Sequence, residues 1–272
     1  MARRSRPSRN RSSRSPQFLD LLTRRFPDYS RDELYRLLMC GDVRVDGGTE
    51  TDPRRSVPAD ARIEITGRRY VSRGGEKLAA ALEAWGISPT GRVWLDAGAS
   101  TGGFTDCLLQ GGATAVHAVD VGYNQLDFSL RRDTRVVVHE RTNIGDLHET
   151  ELDPPPDAAV CDLSFRSLRG VLRSILDLTR LGWGIALLKP QFELAAEHRW
   201  GGRATPNVLD AAGGVARGSE RDEVIERVCD ELERDEGVVV LRRMTSPVAG
   251  RGGNREVLLL VGRAETLSAL SS

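Results

Sequence analysis

The sequence lacks any run of about 18 apolar residues, the length that a helix needs to cross a membrane. It also lacks the apolar stretch of a secretory signal, because its first 16 residues are rich in arginine and serine. We therefore expect a cytoplasmic protein with no membrane segment. Its 272 residues, 39% hydrophobic and 29% charged, allow one large domain and a small additional one.

Cysteine is scarce, and its positions are scattered. No two cysteines form a CxxC pair, and none stands at a metal-ligand spacing from a histidine. Disulfide frameworks and zinc sites both need such clusters. We expect neither a disulfide nor a bound metal; the cysteines are Cys40, Cys107, Cys161 and Cys229.

The net charge is zero, but the two signs are unevenly distributed along the chain. Residues 1–80 contain 18 basic and 11 acidic residues, whereas the remainder contains 21 and 28. The basic charge is densest in residues 1–16, which contain no acidic residue and too few apolar ones to form a core. We expect this disordered tail either to aid solubility or to contact a polyphosphate such as nucleic acid.

Residues 17–67 predict a small α+β module. Apolar residues at helical spacing indicate helices over 18–26 and 31–39, and Ser30 with Glu33 has the pattern of a capping box. Alternating runs at 43–48 and 61–66 indicate short strands.

The string SRDELYRLLMCGDVRVDGG in this module resembles the S-four-type RNA-binding module of many RNA-modifying enzymes. The alternative is an unrelated α+β domain with a basic face. If the resemblance holds, arginines of this module and one just after it contact RNA. The candidates are Arg24, Arg25, Arg31, Arg36, Arg44 and Arg73.

From residue 92 onward, strand-like runs alternate with helical patterns, which is typical of a parallel sheet with helices on both faces. The glycine-rich stretch 200–218 predicts a long loop or lid, followed by a helix over about 219–235. Seven runs predict strands of one sheet, at 92–97, 115–121, 135–139, 158–163, 184–189, 238–244 and 255–261.

The segment DAGASTGGF (96–104) follows a predicted strand and opens a helix, so its amide groups can face a ligand. It lacks the GK[ST] ending of a phosphate-binding loop, and Ser100 replaces the second glycine of a dinucleotide fingerprint. Asp96 would repel a pyrophosphate but attract an ammonium group, as in S-adenosylmethionine. Asp120, 22 residues after Gly98, can accept hydrogen bonds from ribose hydroxyls. The pattern predicts a nucleoside ligand.

Four charged residues, Lys77, Asp162, Lys189 and Glu256, each adjoin strand-like sequence. Alone, each has an ordinary structural explanation, such as an exposed lysine or a helix cap. Ligands bind beyond the carboxyl ends of parallel strands, and we expect Asp162 and Lys189 to lie there.

In this order around DAGASTGGF, the four residues resemble the Lys-Asp-Lys-Glu tetrad of FtsJ-like ribose 2′-O-methyltransferases. Further strings are similar to the TlyA family, which many sequences label hemolysin and others describe as ribosomal RNA 2′-O-methyltransferases. The resemblance covers residues 17–262, and its strings are YVSRGGEKL, LDAGASTGGFTDCLL, AVDVGYNQL, ERTN, DLSF, LLKPQFE, GGV and SPVAGRGGNREVLLL.

This resemblance implies an α/β fold whose residues 68–272 form a Rossmann-like S-adenosylmethionine-dependent methyltransferase domain. It implies a cytidine ribose of ribosomal RNA, free or in ribosomal subunits, as acceptor. Lys189 would take the 2′-hydroxyl proton, and Asp162 would orient Lys189. Glu256 would position Lys77 or the ribose. The expected cofactor contacts are Asp96, Gly98, Ser100, Thr101, Gly102, Gly103, Phe104, Asp120, Asn143 and Asp162, and the candidate stacking residues are Tyr123, Phe128, Phe165 and Trp200.

Two features depart from the family pattern. Segment 195–218 is longer than the family's usual link between its PQFE and GGV strings, and Arg166 stands where an aliphatic residue is usual. Two other hypotheses stay open at this point: a membrane-active cytolysin and a non-catalytic RNA-binding assembly protein. The near-neutral chain gives no basis for an oligomeric state.

Overall fold

The computed structural model describes residues 18–27, 29–58, 60–66, 69–199, 218–250 and 253–266. The chain divides into two compact units, 1–68 and 69–272. The predicted basic tail, Trp200 and most of the predicted glycine-rich lid lie outside the described residues.

The first unit begins with two helices, α1 (Phe18–Arg25) and α2 (Arg31–Cys40), as predicted. The capping box is confirmed. The Ser30 hydroxyl accepts a hydrogen bond from the Glu33 amide at 3.2 Å, and the Glu33 carboxylate accepts one from the Ser30 amide at 2.7 Å. These two bonds satisfy amides that have no partner within the helix.

The sheet of the first unit has three short strands, β1 (Val43–Val45), β2 (Gly48–Glu50) and β3 (Ile63–Ile65), in the antiparallel order β2-β1-β3. Strand β2 was not predicted, because GTE has no apolar alternation. It forms because Asp46 and Gly47 both adopt positive φ, at 52° and 83°, and so make a two-residue hairpin turn. The strands and helices enclose one core, which includes Phe18, Leu22, Leu34, Leu38 and Val43.

The second unit contains all seven predicted strands and the predicted helix after the glycine-rich stretch. Two short 3-10 turns, Ile144–Asp146 and Glu149–Glu151, lie between the third and fourth of these strands. The elements are α3 (Arg73–Trp85), β4 (Val93–Ala97), α4 (Gly103–Gln110), β5 (Ala115–Asp120), α5 (Phe128–Arg131), β6 (Val136–Glu140), β7 (Ala158–Cys161), α6 (Leu172–Asp177), β8 (Trp183–Leu188), α7 (Pro190–Arg199), α8 (Gly218–Glu236), β9 (Val238–Thr245) and β10 (Val257–Arg263).

The seven strands form one sheet in the order β6-β5-β4-β7-β8-β10-β9. Strands β4 to β8 are mutually parallel, but β10 runs antiparallel to both of its neighbours. The prediction of a parallel sheet is therefore wrong for this strand. A parallel neighbour needs a long crossover, usually a helix, whereas the described part of the connection from β9 to β10 contains none.

Successive side chains of each strand point to opposite faces, so the sheet has a hydrophobic layer on each side. One layer contains Leu95 of β4 and is covered by α6, α7 and α8. The other contains Trp94 and is covered by α3 and α4. The loops at the strand ends are thereby held by a packed three-layer scaffold.

Within the described ranges, no helix is both long and apolar enough to span a membrane. The same ranges contain no group of three histidine, cysteine or acidic side chains that could hold a metal ion. All four cysteines are free thiols.

A buried histidine pair joins β5 and β6. The His117 side chain is fully buried, with Nδ1 at 3.0 Å from Nε2 of His139 and Nε2 at 2.8 Å from the Pro154 carbonyl. Because a carbonyl only accepts, His117 donates from Nε2 and accepts at Nδ1. Burial lowers the pKa of both rings below 6.5, so the folded protein favours their neutral forms.

We predict that this pair makes folding sensitive to acid. The unfolded chain binds protons at about its ordinary histidine pKa, so stability is lost as pH falls below 6.5. The free energy of unfolding, measured with urea between about pH 7.5 and 5.5, should fall more steeply for the unchanged protein than for His117→Asn. Replacing exposed His148 in the same way should leave the slope unchanged, and equal slopes in all three proteins would contradict the prediction.

Candidate active site

The candidate site lies where neighbouring strands end. In the register of the sheet, Ala97 of β4 pairs with Cys161 of β7, and Cys161 pairs with Ala186 of β8. The reversed strand β10 begins at the same edge, where Val257 pairs with Leu188. The residues just outside these strand ends are therefore neighbours, and they include Asp162, Lys189 and Glu256.

Lys189 follows β8 directly and is only 8% exposed. Its Nζ lies 2.6 Å from Oδ1 of Asp162 and donates a hydrogen bond of 3.0 Å to the Ser164 hydroxyl. The ring of Phe192 lies 5.6 Å from the same amine. These contacts fix the direction of an amine that has little access to water.

Lys77 and Glu256 form a second ion pair, with 2.5 Å between Nζ and Oε2, and both residues are buried. Lys77 lies on α3, which packs closely against α4. A Cβ on Gly103 of α4 would lie 2.2 Å from the Ser72 hydroxyl, so a side chain there would push the helices apart. The structure thus arranges the four residues of the predicted tetrad as two ion pairs, in which Lys77, Glu256 and Lys189 are buried and Asp162 is half-buried.

The scarcity of lysine in the sequence is a further signal for this site. Of the 39 lysine and arginine residues, only Lys77 and Lys189 are lysines. Both lysines of the chain therefore belong to the candidate site.

Asp96 lies in β4 at the start of the glycine loop and is completely buried. Its Oδ2 accepts a hydrogen bond of 2.6 Å from Thr105, whereas Oδ1 has no hydrogen-bond partner among the described residues. Burial raises the pKa of Asp96 to about 7, and the charge of Asp162 adds to the increase. An ammonium group reaching Oδ1 would stabilise the carboxylate, so this residue fits the amino group of S-adenosylmethionine.

Asp120 ends β5 and organises the glycine loop. Its Oδ2 accepts a hydrogen bond of 2.8 Å from the amide of Ser100, which has positive φ, and its Oδ1 accepts one of 2.6 Å from Gly122. Each carboxylate oxygen can accept a further hydrogen bond. The predicted bonds from ribose hydroxyls to Asp120 are therefore possible, and they stay a prediction. At the end of β6, the Asn143 side-chain oxygen accepts bonds from the Gly145 amide at 3.2 Å and Arg166 at 3.3 Å.

The loop glycines have packing reasons of their own. Gly98 has a φ of 89°, and a Cβ there would lie 2.6 Å from the Asp162 carbonyl oxygen. Gly102 also has positive φ, and Thr101 accepts a bond from the Asp127 amide through its carbonyl. The Phe104 side chain lies in the core, so a contact with a ligand would come through its backbone. Glycine is needed at these positions because neighbouring protein atoms lie where a side chain would be, whether or not a ligand is bound.

Three of the four candidate stacking residues are exposed aromatic side chains of this unit. Phe165 is 79% exposed at a φ of 61°, and its ring lies 5.1 Å from that of Phe192. Tyr123 is covered by Arg141 at 4.0 Å, and Phe128 lies 5.0 Å from Arg132. Exposed aromatic rings beside arginines are suited to stacking on nucleobases.

The arginines predicted to bind RNA differ in their surroundings. In the first unit, Arg24 and Arg44 are exposed. Arg25 donates to the Ala61 carbonyl at 2.6 Å, and Arg31 forms an exposed ion pair with Asp20 at 2.7 Å. The first unit also places Arg36 half-buried on α2, and the second unit places Arg73 exposed at the start of α3.

A protein-family model described as FtsJ-like methyltransferase matches residues 70–262, which contain the whole glycine loop and both ion pairs. The chain belongs to the FtsJ-like methyltransferase family. Among FtsJ-like relatives, the 16S/23S rRNA (cytidine-2′-O)-methyltransferase TlyA of Mycobacterium tuberculosis is 38% identical, over 92% of this chain and 91% of its own. Hemolysin A of Brachyspira hyodysenteriae is 36% identical, over 84% and 92%.

A solved structure supports the same assignment. A protein described as a hemolysin, from Streptococcus thermophilus, superposes with a TM-score of 0.67 and 33% sequence identity. The match covers 92% of this FtsJ-like chain and 89% of the other. Proteins named for methylation and proteins named for hemolysis are therefore both similar to this chain.

We predict that Lys77 cannot be replaced without loss of stability while Glu256 remains. Lys77→Met leaves a buried carboxylate without its partner, and breaking such a pair costs about 3 to 5 kcal/mol. Replacing both partners, in Lys77→Met with Glu256→Leu, removes both charges and should restore most of that stability. Urea denaturation measures the effect, and a loss below about 1 kcal/mol in the single variant would contradict the prediction.

Proposed function

We propose that this protein methylates the 2′-hydroxyl of a cytidine ribose in ribosomal RNA, with S-adenosylmethionine as the methyl donor. The observation that supports this most is the buried amine of Lys189, held by Asp162 beside the loop of Asp96. The TlyA relatives named for this reaction, from Mycobacterium tuberculosis and Campylobacter jejuni, add the acceptor.

S-adenosylmethionine, when bound, supplies an activated methyl group. We infer that Asp96 holds its ammonium group, because Oδ1 is buried with no hydrogen-bond partner among the described residues. Asp120 would accept hydrogen bonds from the ribose. Asn143 and Asp162 would complete the site, together with backbone amides of the glycine loop and the α4 N-terminus. The loop residues are Gly98, Ser100, Thr101, Gly102, Gly103 and Phe104.

Lys189 is the proposed general base. A ribose hydroxyl is a weak acid, and removing its proton as the new bond forms makes the oxygen a better nucleophile. Lys189 must act in its neutral form, after which it again becomes the ammonium partner of Asp162. Asp162 and Ser164 limit the directions in which the amine can point, and this orientation contributes to the rate.

Lys77 and Glu256 would act from the neighbouring position. Their buried pair lies where β10 meets the end of β8, next to Lys189 in the register. We infer that Lys77 adds positive charge beside the reacting groups and that Glu256 fixes the direction of Lys77.

We further propose that residues 17–67 bind RNA, with 68–272 as the catalytic domain. Support comes from the exposed side chains of Arg24 and Arg44 in the first unit. The second unit contributes Arg73 and exposed aromatic rings such as Phe165. The arginines at 1–16 would add contacts to phosphates. From the proposed ribosomal RNA substrate we infer that the protein acts in the cytoplasm.

We predict that Lys189→Ala and Lys189→Arg both reduce methylation by at least about 100-fold, within the range that a general base contributes. Arginine keeps a positive charge beside Asp162 but cannot accept the proton. Affinity for S-adenosylmethionine, measured by calorimetry, should stay within about threefold, because the amine is not among the proposed cofactor contacts.

The assay measures transfer of a labelled methyl group to ribosomal subunits and, separately, to naked ribosomal RNA. Arg180→Ala is the matched control, since it removes a cation whose partner, Asp157, lies just before the start of β7, at the opposite end of the strand. Full activity of either Lys189 variant would exclude Lys189 as the base.

We also predict that S-adenosylmethionine binds more weakly as pH falls below about 7. The free protein has a raised Asp96 pKa of about 7, and the bound ammonium requires the carboxylate, so binding below that pH must release a proton. Affinity should fall by up to about tenfold per pH unit. Asp96→Asn should bind weakly at every pH, whereas Asp133→Asn, which changes a half-buried aspartate paired with Arg135, should behave as the unchanged protein. A flat affinity profile for the unchanged protein would contradict the assignment.

A further inference from the structure

Two segments at the catalytic edge are joined by contacts beyond the proposed tetrad. The first is the loop that follows β7, residues 162–169, which we call the β7 loop. The second is residues 189–193, at the end of β8 and the start of α7. The rings of Phe165 and Phe192 meet between them, and the Glu193 side chain provides a second connection.

Glu193 is a charged residue on α7 that is only 1% exposed. The Ser167 hydroxyl donates a hydrogen bond to its Oε2, and the Leu168 amide donates one of 2.9 Å to its Oε1. Nε of Arg169 lies 3.4 Å from Oε2, and the Arg169 guanidinium also donates to the Glu193 carbonyl at 3.2 Å. One side chain of α7 thus contacts three successive residues of the β7 loop.

A buried carboxylate is costly unless hydrogen bonds and charge replace its water, so these contacts strongly favour one conformation of the β7 loop. Glu193 is also tied to Lys189, because its amide donates to the Lys189 carbonyl at 3.3 Å in the first turn of α7. The other end of the β7 loop contains Asp162 and Ser164, the two partners of the Lys189 amine. Glu193 therefore links the backbone of Lys189 to the loop that orients its side chain.

We propose that Glu193 is a positioning residue for methyl transfer. It holds the β7 loop against α7 so that Asp162 and Ser164 keep the Lys189 amine directed toward the ribose hydroxyl. This inference rests on the proposed function. Its consequence is selective: loss of Glu193 should disturb the chemical step much more than cofactor binding, because most of the proposed cofactor contacts lie in the glycine loop and only Asp162 lies in the β7 loop.

The test compares Glu193→Gln with the unchanged protein in the methyl-transfer assay. The amide keeps the size of the side chain but removes the charge beside Arg169. We expect kcat to fall by at least about tenfold, since a displacement of the order of 1 Å has large effects on rate. The Kd for S-adenosylmethionine, measured by calorimetry, should stay within about twofold.

Two further variants separate positioning from general stability. Glu231→Gln removes the other carboxylate partner of Arg169, which lies on α8 at 2.6 Å, but leaves the bonds from Ser167 and Leu168 to Glu193 in place, and it should keep normal kcat. Ser167→Ala removes one hydrogen bond to Glu193 and is a milder change if Glu193→Gln folds poorly. It should lower kcat by a smaller factor and add little when combined with Glu193→Gln.

Unchanged kcat in folded Glu193→Gln, or in Ser167→Ala should the first variant not fold, would overturn the inference. A parallel fall of kcat, cofactor affinity and Tm would also overturn it, because that pattern belongs to a structural role. No methylation by the unchanged protein would instead refute the proposed function, so the two failures are distinguishable.

Discussion

The carboxyl ends of β4, β7 and β8 lie side by side, and this alignment places the charged groups of the candidate site. Asp96, Asp162 and Lys189 come from three neighbouring strands or from the residues just after them. The reversal of β10 then brings Glu256 to the same edge from the opposite chain direction. With all strands parallel, the residue entering β10 would lie at the other end of the sheet.

The second constraint is the cost of burying charge. Lys77, Lys189 and Glu256 are each less than 10% exposed, and they are tolerated because each has a partner of opposite sign within 2.6 Å. Asp96 forms no ion pair among the described residues, and burial raises its pKa to about 7 although Thr105 donates to it. A cationic ligand would complete the electrostatics at that position. Stability and ligand preference thus have one physical origin in this site.

Much of the fold could be predicted from the sequence, because strand alternation and capping are local signals. All seven strands of the large sheet and the Ser30 capping box are examples. Strand β2 and the reversal of β10 could not be predicted in the same way, since both depend on the partner strand and on the connection. The chain between β9 and β10, residues 246–256, is nevertheless short for the crossover that a parallel neighbour needs, and this local signal favours an antiparallel pair.

The candidate site shows the same division. The order of the motifs predicts that Lys77, Asp162, Lys189 and Glu256 lie together. Which acid pairs with each lysine depends on the fold of distant segments, so the sequence does not predict it. Glu193 appeared in the quoted LLKPQFE string without a role. Its partners lie about 25 residues earlier in the chain, so no local pattern could reveal that this carboxylate is buried and bonded to the β7 loop. The positions of the loop glycines were recognised, but their close contacts with protein atoms were not.

The most direct measurement is a crystal structure of the full chain with S-adenosylmethionine bound. We expect the amino group of the ligand to contact Oδ1 of Asp96 and its methyl group to face Nζ of Lys189. A ligand bound away from the glycine loop, or a methyl group directed away from Lys189, would refute the proposed roles of Asp96 and Lys189.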